Sequence, residues 1–228
     1  MPVDQVLVDS RTHEHLGEAG AKQLCERFGP GDCLSCRRPL SRRIVSVVVD
    51  ESGQLATASA YHPECRDPAW IDTGLTIAPT DQQVTYHCLP FIGPGLSRTG
   101  FPETVWFAVH PSLEVLHLAP GGDRWVSNDL GLYLALGFAS DPADEKLSRS
   151  LDHANLRIRR KAIIVDTLAR QWLCHGDQNF TDLIRQQGGL MLAVTTAIDP
   201  SDGLTFEVFH ELLVGQQCAL GWVKLSDA

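Results

Sequence analysis

The chain has 228 residues, of which 43% are hydrophobic and 21% charged, a composition ordinary for a globular protein and unlike that of a disordered one. Its formal net charge of −9 gives no global attraction to nucleic-acid phosphates. No apolar run reaches the roughly 18 residues that a membrane helix needs, and the first residues lack a signal peptide's basic region and apolar core. We therefore expect a cytoplasmic protein that does not contact a membrane.

The first elements of the chain are a predicted helix and a predicted hairpin. Apolar residues at helical spacing predict a helix over residues 13–28, and the Gly- and Pro-rich segment 29–32 ends it. Residues 44–49 are apolar and mostly β-branched, which predicts a strand. Residues 55–61 are expected to return as a second strand after the turn at 50–53.

Two pairs of metal-binding residue types flank this hairpin. Cys33 and Cys36 precede it, and His62 and Cys65 follow it, with two residues between the members of each pair. A tetrahedral zinc ion takes four such ligands at about 2.0–2.3 Å, and a two-residue spacing lets one tight turn aim both side chains at the metal. The sequence therefore predicts one structural Zn²⁺ per chain.

The order of ligand pair, hairpin and second ligand pair resembles the treble-clef class of zinc modules. The His-x-x-Cys pair is also similar to half of a LIM-type module. The resemblance covers residues 33–66 and implies the same four ligands, with a short helix starting near Pro63. Pro68 departs from the pattern, because it limits that helix to about one turn. Treble clefs serve in nucleic-acid binding, protein binding and nucleases, so the resemblance selects no single function.

Further elements are expected after a connection over residues 66–80. Residues 104–109 and 113–118 flank His110-Pro111-Ser112 and predict a second hairpin. Ser127 or Asn128 is a suitable cap for a short helix that ends near residue 136.

A long amphipathic helix is the main prediction for the second half of the chain. Asp141 and Pro142 suit the cap and first position of a helix over residues 142–174, with a break near 153–155 as an open alternative. Its apolar stripe is formed by residues that recur every three or four positions: Leu147, Leu151, Ala154, Ile158, Ala162, Val165, Leu168 and Trp172.

The C-terminal region is expected to form a three-stranded meander. A short helical segment at residues 182–187 precedes a buried strand at 190–198. Residues 204–214 alternate with a period of two, which favours a strand, although 206–214 is also compatible with a short helix. A last strand is expected over residues 218–225. The fold class predicted is α+β, with a zinc-stapled domain at residues 1–75 and a mixed α/β domain at 76–228.

Two motifs that superficially suggest catalysis lack a necessary part. Cys88 and Arg98 are separated by nine residues, whereas a tyrosine-phosphatase loop needs five between its Cys and Arg. His210 begins a His-Glu-x-x-His pattern, but the second histidine position is Val214, so a metalloprotease is excluded on this motif.

Two weaker patterns remain as alternatives to purely structural roles. Asp152-His153 resembles the start of an HNH nuclease motif, but it lies inside the predicted helix and far from the zinc ligands. Cys174 beside His175 is compatible with an activated thiol, although adjacency in sequence does not bring a thiolate against an imidazole. Cysteines outside the metal pairs are most often buried small apolar residues.

The function predicted is that of a non-enzymatic intracellular binding or regulatory protein whose zinc is structural and whose main partner is another protein. The first alternative is a nucleic-acid-associated protein that uses the arginines around the first ligand pair, Arg37, Arg38, Arg42 and Arg43. The second alternative is a hydrolase or nuclease whose site the sequence does not locate.

Overall fold

The computed structural model describes residues 3–29, 31–40, 43–72, 84–85, 87–96, 100–111, 115–167, 171–200 and 203–226. Strands make up 42% of the structure and helices 25%. The protein is therefore mostly β, with three sheets, and the predicted α+β class with one long helix is wrong.

The helices and strands of the described residues follow in chain order. The helices are α1 Ser10–Arg27, α2 Asp129–Ala135, α3 Gln178–Gln187 and α4 Phe206–Val214, with a 3-10 helix at Glu145–Ser148. The strands are β1 Gln5–Leu7, β2 Ile44–Ser52, β3 Leu55–Tyr61, β4 Ala69–Asp72, β5 Val84–Thr85, β6 Cys88–Pro94, β7 Glu103–Val109, β8 Val115–Gly121, β9 Arg124–Ser127, β10 Asn155–Arg159, β11 Ala162–Asp166, β12 Gln171–His175, β13 Gly189–Thr195 and β14 Cys218–Lys224.

The chain divides into two compact units. The first consists of Met1–Ala78 together with Ser112–Asp129, and the second of Pro79–Pro111 together with Leu130–Ala228. The segment Ser112–Asp129, which the sequence assigned to the 76–228 domain, thus lies in the first unit. None of the described helices is both long and apolar enough to cross a membrane.

The first unit is built on a six-stranded sheet in the order β1-β2-β3-β8-β9, with β4 also paired to β2. The predicted hairpin is confirmed, because β2 and β3 pair antiparallel from Ser46↔Tyr61 to Ser52↔Leu55. All residues from Val45 to Val49 are buried, as expected for a strand covered on both faces. Helix α1 is capped by Asp9, whose Oδ1 accepts a hydrogen bond from the Thr12 N–H at 2.8 Å.

The buried carboxylate of Asp129 links strands β8 and β9 of this sheet to α1. Asp129 accepts hydrogen bonds from the Arg27 guanidinium at 2.8 Å, the Ser127 hydroxyl at 3.0 Å and the His117 backbone N–H at 2.6 Å. The His117 ring also contacts it at 3.2 Å. Burial alone raises the pKa of Asp129, but the His117 hydrogen bonds and the Arg27 charge outweigh burial and lower it.

Among its described residues, the second unit contains two four-stranded sheets and two of the three hydrophobic clusters. One sheet has the order β14-β13-β7-β6 and the other β10-β11-β12-β5. Phe107, Val165, Trp172, Ile184 and Leu192, from both sheets and α3, lie in one cluster and are fully or almost fully buried.

The predicted helix over residues 142–174 is wrong, because the described residues of this range contain the 3-10 helix and the strands β10, β11 and β12. Leu168 of the predicted stripe lies outside the described residues. In β10, Leu156 is fully buried while Arg159, on the other face, is exposed, which is a period of two. Arg160 and Lys161 form the two-residue loop to β11, where Ile163 and Val165 are β-branched and buried. Each of the two strands alternates apolar residues between its faces, and a loop shifts the second strand relative to the first. Apolar residues taken from both strands therefore also recur at spacings of three and four, as they would in a helix.

Two predicted strand pairings are also wrong. Strands β7 and β8 exist near the expected positions but belong to different sheets, since β7 pairs with β6 and β13, and β8 pairs with β3 and β9. In the C-terminal region β13 pairs directly with β14, and the segment between them contains α4. The helical alternative for residues 206–214 is thereby confirmed, and the three-stranded meander is not formed.

Candidate metal centre

The first ligand pair lies on a tight turn that the backbone holds closed. The Cys33 N–H donates to the Arg38 carbonyl at 2.9 Å, and the Arg37 N–H donates to the Cys33 carbonyl at 2.8 Å. Arg37 has φ of +60°, a left-handed conformation in which glycine is usually favoured. The turn therefore aims Cys33 and Cys36 at the same point, as the two-residue spacing predicted.

The second ligand pair follows β3 and lies at the same end of the hairpin. Because Ser46 pairs with Tyr61, the residues before β2 and those after β3 come together. The Cys65 N–H donates to the His62 carbonyl at 2.9 Å, and the Arg66 N–H donates to it at 3.2 Å. The segment after His62 forms this single turn and not a longer helix, in agreement with the limit that Pro68 sets.

The four predicted ligands form one cluster whose dimensions suit a tetrahedral ion. The ligand atoms of Cys33, Cys36, His62 and Cys65 all lie within 4.8 Å of one another. The His62 Nδ1 lies 3.4 Å from the Cys36 Sγ and 3.8 Å from the Cys65 Sγ. Zinc bonds of about 2.3 Å to sulfur and about 2.05 Å to nitrogen give a tetrahedral N···S edge of about 3.6 Å. Both observed edges lie close to that value.

The imidazole of His62 is oriented by its second nitrogen. Its Nε2 donates to the Pro39 carbonyl at 3.0 Å, so that in the neutral imidazole the unprotonated Nδ1 faces the thiols. A metal-bound histidine ordinarily donates its other N–H to a carbonyl or carboxylate in this way. The side chain is thus positioned as a ligand by a residue of the first turn.

The thiols titrate differently because their surroundings differ. A hydrogen bond from the Arg38 side chain, joined by the Arg38 backbone N–H, lowers the pKa of Cys36 to about 6. Desolvation and the neighbouring thiols raise the pKa of Cys65 to about 11. Three thiolates within 4.8 Å of one another would repel, and a bound divalent cation would offset most of their charge.

The cluster is attached to the core of the first unit. Cys33 is fully buried in the hydrophobic cluster, and Cys36 and Cys65 pack against that cluster. All four tetrahedral positions are taken by protein atoms, so a bound ion has no open position for water or substrate. The chemistry that this arrangement supports is therefore cross-linking of the two turns.

Of the arginines predicted near the first ligand pair, Arg37, Arg38 and Arg43 are exposed. Arg42 lies outside the described residues. The contact of Arg38 with Cys36, like that of Pro39 with His62, was not predicted, because nothing in the sequence shows which nearby groups a turn brings against a ligand.

The other chemical motifs do not form sites of comparable quality. Asp152 and His153 lie exposed in a turn before β10, not in a helix. Cys174 packs against a core cluster while His175 is exposed, because successive strand residues point to opposite faces. Among the residues that the structure describes, the Cys₃His cluster is the one group of three or more metal-ligand residues.

Comparison with known proteins gave no match. No family model matches the chain, and no curated protein or solved structure shows significant similarity to it. The treble-clef and LIM-type resemblance therefore rests on the ligand order and geometry alone.

Proposed function

We propose that the first unit binds one zinc ion through Cys33, Cys36, His62 and Cys65, and that the ion has a structural role. The tetrahedral spacing of the four ligand atoms carries this proposal. Three thiolates and one imidazole select zinc over magnesium or calcium, which prefer oxygen ligands. Each turn is closed by its own backbone hydrogen bonds, and the ion stabilises the two turns by joining them to each other.

Hydrogen exchange with and without a strong chelator tests the structural role. We expect metal removal to reduce protection at residues 31–40 and 62–66, while strands β13 and β14 of the second unit keep theirs. The reason is that β13 and β14 form their hydrogen bonds with each other and with β7, far along the chain from the ligands. Unchanged protection in the two turns, or protein purified without chelator that contains no metal, would refute the proposal.

We infer further that the protein is a binding or regulatory protein whose main partner is another protein. Two features support a binding role over catalysis: the closed ligand set, and the origin of the polar residues in one cleft of the second unit. That cleft, of about 830 Å³, takes Asp144, Glu145, Asp152 and His153 from one short stretch of chain and not from distant segments. Exposed apolar residues on α4 support a protein partner.

An activity comparison tests the non-catalytic role. Zinc-loaded protein is expected to hydrolyse neither plasmid DNA nor activated esters faster than the Cys36→Ser variant, since the ion has no open position. Zinc-dependent hydrolysis that the variant loses would show a catalytic ion, and one of the four ligands would then have to be replaced by water.

Nucleic-acid association is a second candidate function, favoured by the exposure of Arg37, Arg38 and Arg43 beside the metal cluster. Each phosphate contact contributes about 0.9 to the slope of log K against log salt for duplex DNA. Arg37→Gly removes one charge at a position where glycine is favoured, so the turn is preserved. If these arginines bind DNA, this variant lowers the slope by about one contact. An unchanged slope would exclude Arg37.

A further inference from the structure

A second cleft, of about 510 Å³, lies against α4 in the second unit and is lined mostly by apolar residues. Its floor contains Trp106 and Phe209, which are 2% and 1% exposed and whose ring centroids lie 5.1 Å apart. The Trp106 Nε1 donates to the Pro94 carbonyl at 3.0 Å, so the indole offers only its apolar surface to the cleft. Neither aromatic ring presents an unsatisfied polar atom there.

Exposed apolar side chains of α4 extend the cleft at its rim. Phe206 is 44% exposed and Val214 is 72% exposed, and both line the cleft. Val208, on the same helix, is 39% exposed but does not line it. The rim therefore has apolar surface whose burial against a partner is favourable.

The charges around the cleft are acidic. Asp141 lines it and is exposed, and no Lys or Arg is among its lining residues; His210 is the other ionisable one. At 100° per residue, Glu207 and Glu211 lie beside Val214 on the outer flank of α4, and both are exposed. The apolar cleft thus has a carboxylate in its lining and two more along the flank of α4.

We propose that this cleft binds a peptide segment of a protein partner, in which a bulky apolar side chain enters the cleft and lysine or arginine residues flank it. The proposal rests on the protein-binding role inferred above and names the chemistry of the partner. The acidic surroundings complement a basic segment. They disfavour a second copy of this chain, because a symmetric contact would bring the same carboxylates together in a protein of net charge −9.

Two synthetic amphipathic peptides of about 14 residues serve as probes, with the same leucine pattern and either lysine or glutamate at all other positions. Binding is measured by fluorescence anisotropy and by NMR of the ¹⁵N-labelled full chain at about 0.15 M salt. We expect the lysine peptide to bind at least about tenfold more tightly than the glutamate peptide. We also expect it to shift the resonances of residues 206–214 and of the Trp106 indole.

A matched pair of valine substitutions separates the cleft from general charge attraction. Val214→Ser and Val208→Ser make the same change on two exposed positions of α4, and neither alters the charge. We expect Val214→Ser to weaken binding of the lysine peptide by about fivefold or more, and Val208→Ser to change it by less than about twofold.

Equal effects of the two substitutions, equal binding of the two peptides, or shifts confined to residues outside the cleft would each overturn the proposal. Concentration-dependent self-association that Val214→Ser abolishes would overturn it in favour of a second copy. The zinc proposal is tested separately, since Cys36→Ser changes the first unit and is expected to leave peptide binding by the second unchanged.

Discussion

Replacing Cys36 by serine is expected to remove most of the affinity for zinc. Structural zinc sites contribute about 10–16 kcal/mol of apparent binding free energy, so each of four ligands accounts for about 2.5–4 kcal/mol. A serine hydroxyl is a poor zinc ligand. The substitution also removes the thiolate that the Arg38 side chain stabilises. We therefore expect the dissociation constant of the Cys36→Ser variant to be about 10²–10³ times that of the wild type.

Competition with a chromophoric chelator of known affinity measures this change. Cys25→Ser is the matched control, because Cys25 is a half-buried cysteine of α1 in the same unit and is not part of the metal cluster. The control is expected to keep wild-type affinity. An equal loss in both variants would show that the effect is general destabilisation, and no loss in either would show that Cys36 is not a ligand.

The metal cluster was predictable because its information is local. The two-residue spacings constrain each ligand pair to one turn, and the hairpin between them is specified by a run of β-branched residues and a turn, which was predicted at residues 50–53 and lies at Gly53 and Gln54. Together these features bring Cys33, Cys36, His62 and Cys65 to one point without knowledge of the remaining fold. The atoms that orient the ligands, such as the Pro39 carbonyl, depend on the detailed path of the turn, which the residue types do not specify.

The long helix was predicted wrongly because apolar spacing is ambiguous when strands are short. Five-residue strands joined by a loop of two, as in β10 and β11, place apolar residues at intervals of two, five and seven. Of these intervals, seven coincides with the repeat of a helical stripe. The β-branched Ile163, Ile164 and Val165 favoured strands, and the exposed Arg160 at φ of +58° marks the loop that the helical interpretation missed.

The sheet partners could not be predicted because they are remote in sequence. β7 pairs in parallel with β13, and β3 pairs with β8, over separations that no turn motif spans. A hairpin between residues 104–109 and 113–118 was the more local choice, and neighbouring strands do usually pair. The chain instead passes from one sheet to another at this point, so that β8 and β9 complete the sheet of the first unit.

Three further outcomes test the fold. Leu156→Ala is expected to cost about 2–5 kcal/mol, and Arg159→Ala less than about 0.5 kcal/mol, by urea unfolding, because these residues lie on opposite faces of β10. Leu156 is not in the stripe of the helical interpretation, so a small cost there would contradict the strand. Asp129→Ala is expected to cost about 3–5 kcal/mol, since it leaves several buried donors without an acceptor, whereas Asp182→Ala at an exposed ion pair is expected to cost less than about 1 kcal/mol. The last outcome follows from the lowered pKa of Asp129. A carboxyl whose pKa is lower in the folded than in the unfolded state contributes stability above the unfolded value of about 3.9, and this stability is lost as the pH falls toward the folded value. The hydrogen-exchange protection factors of β8 and β9, which correct for the intrinsic pH dependence of exchange, are therefore expected to fall below about pH 4 in the wild type. Asp129→Ala is expected to remove much of that pH dependence, and a variant with the full wild-type dependence would show that another group is responsible.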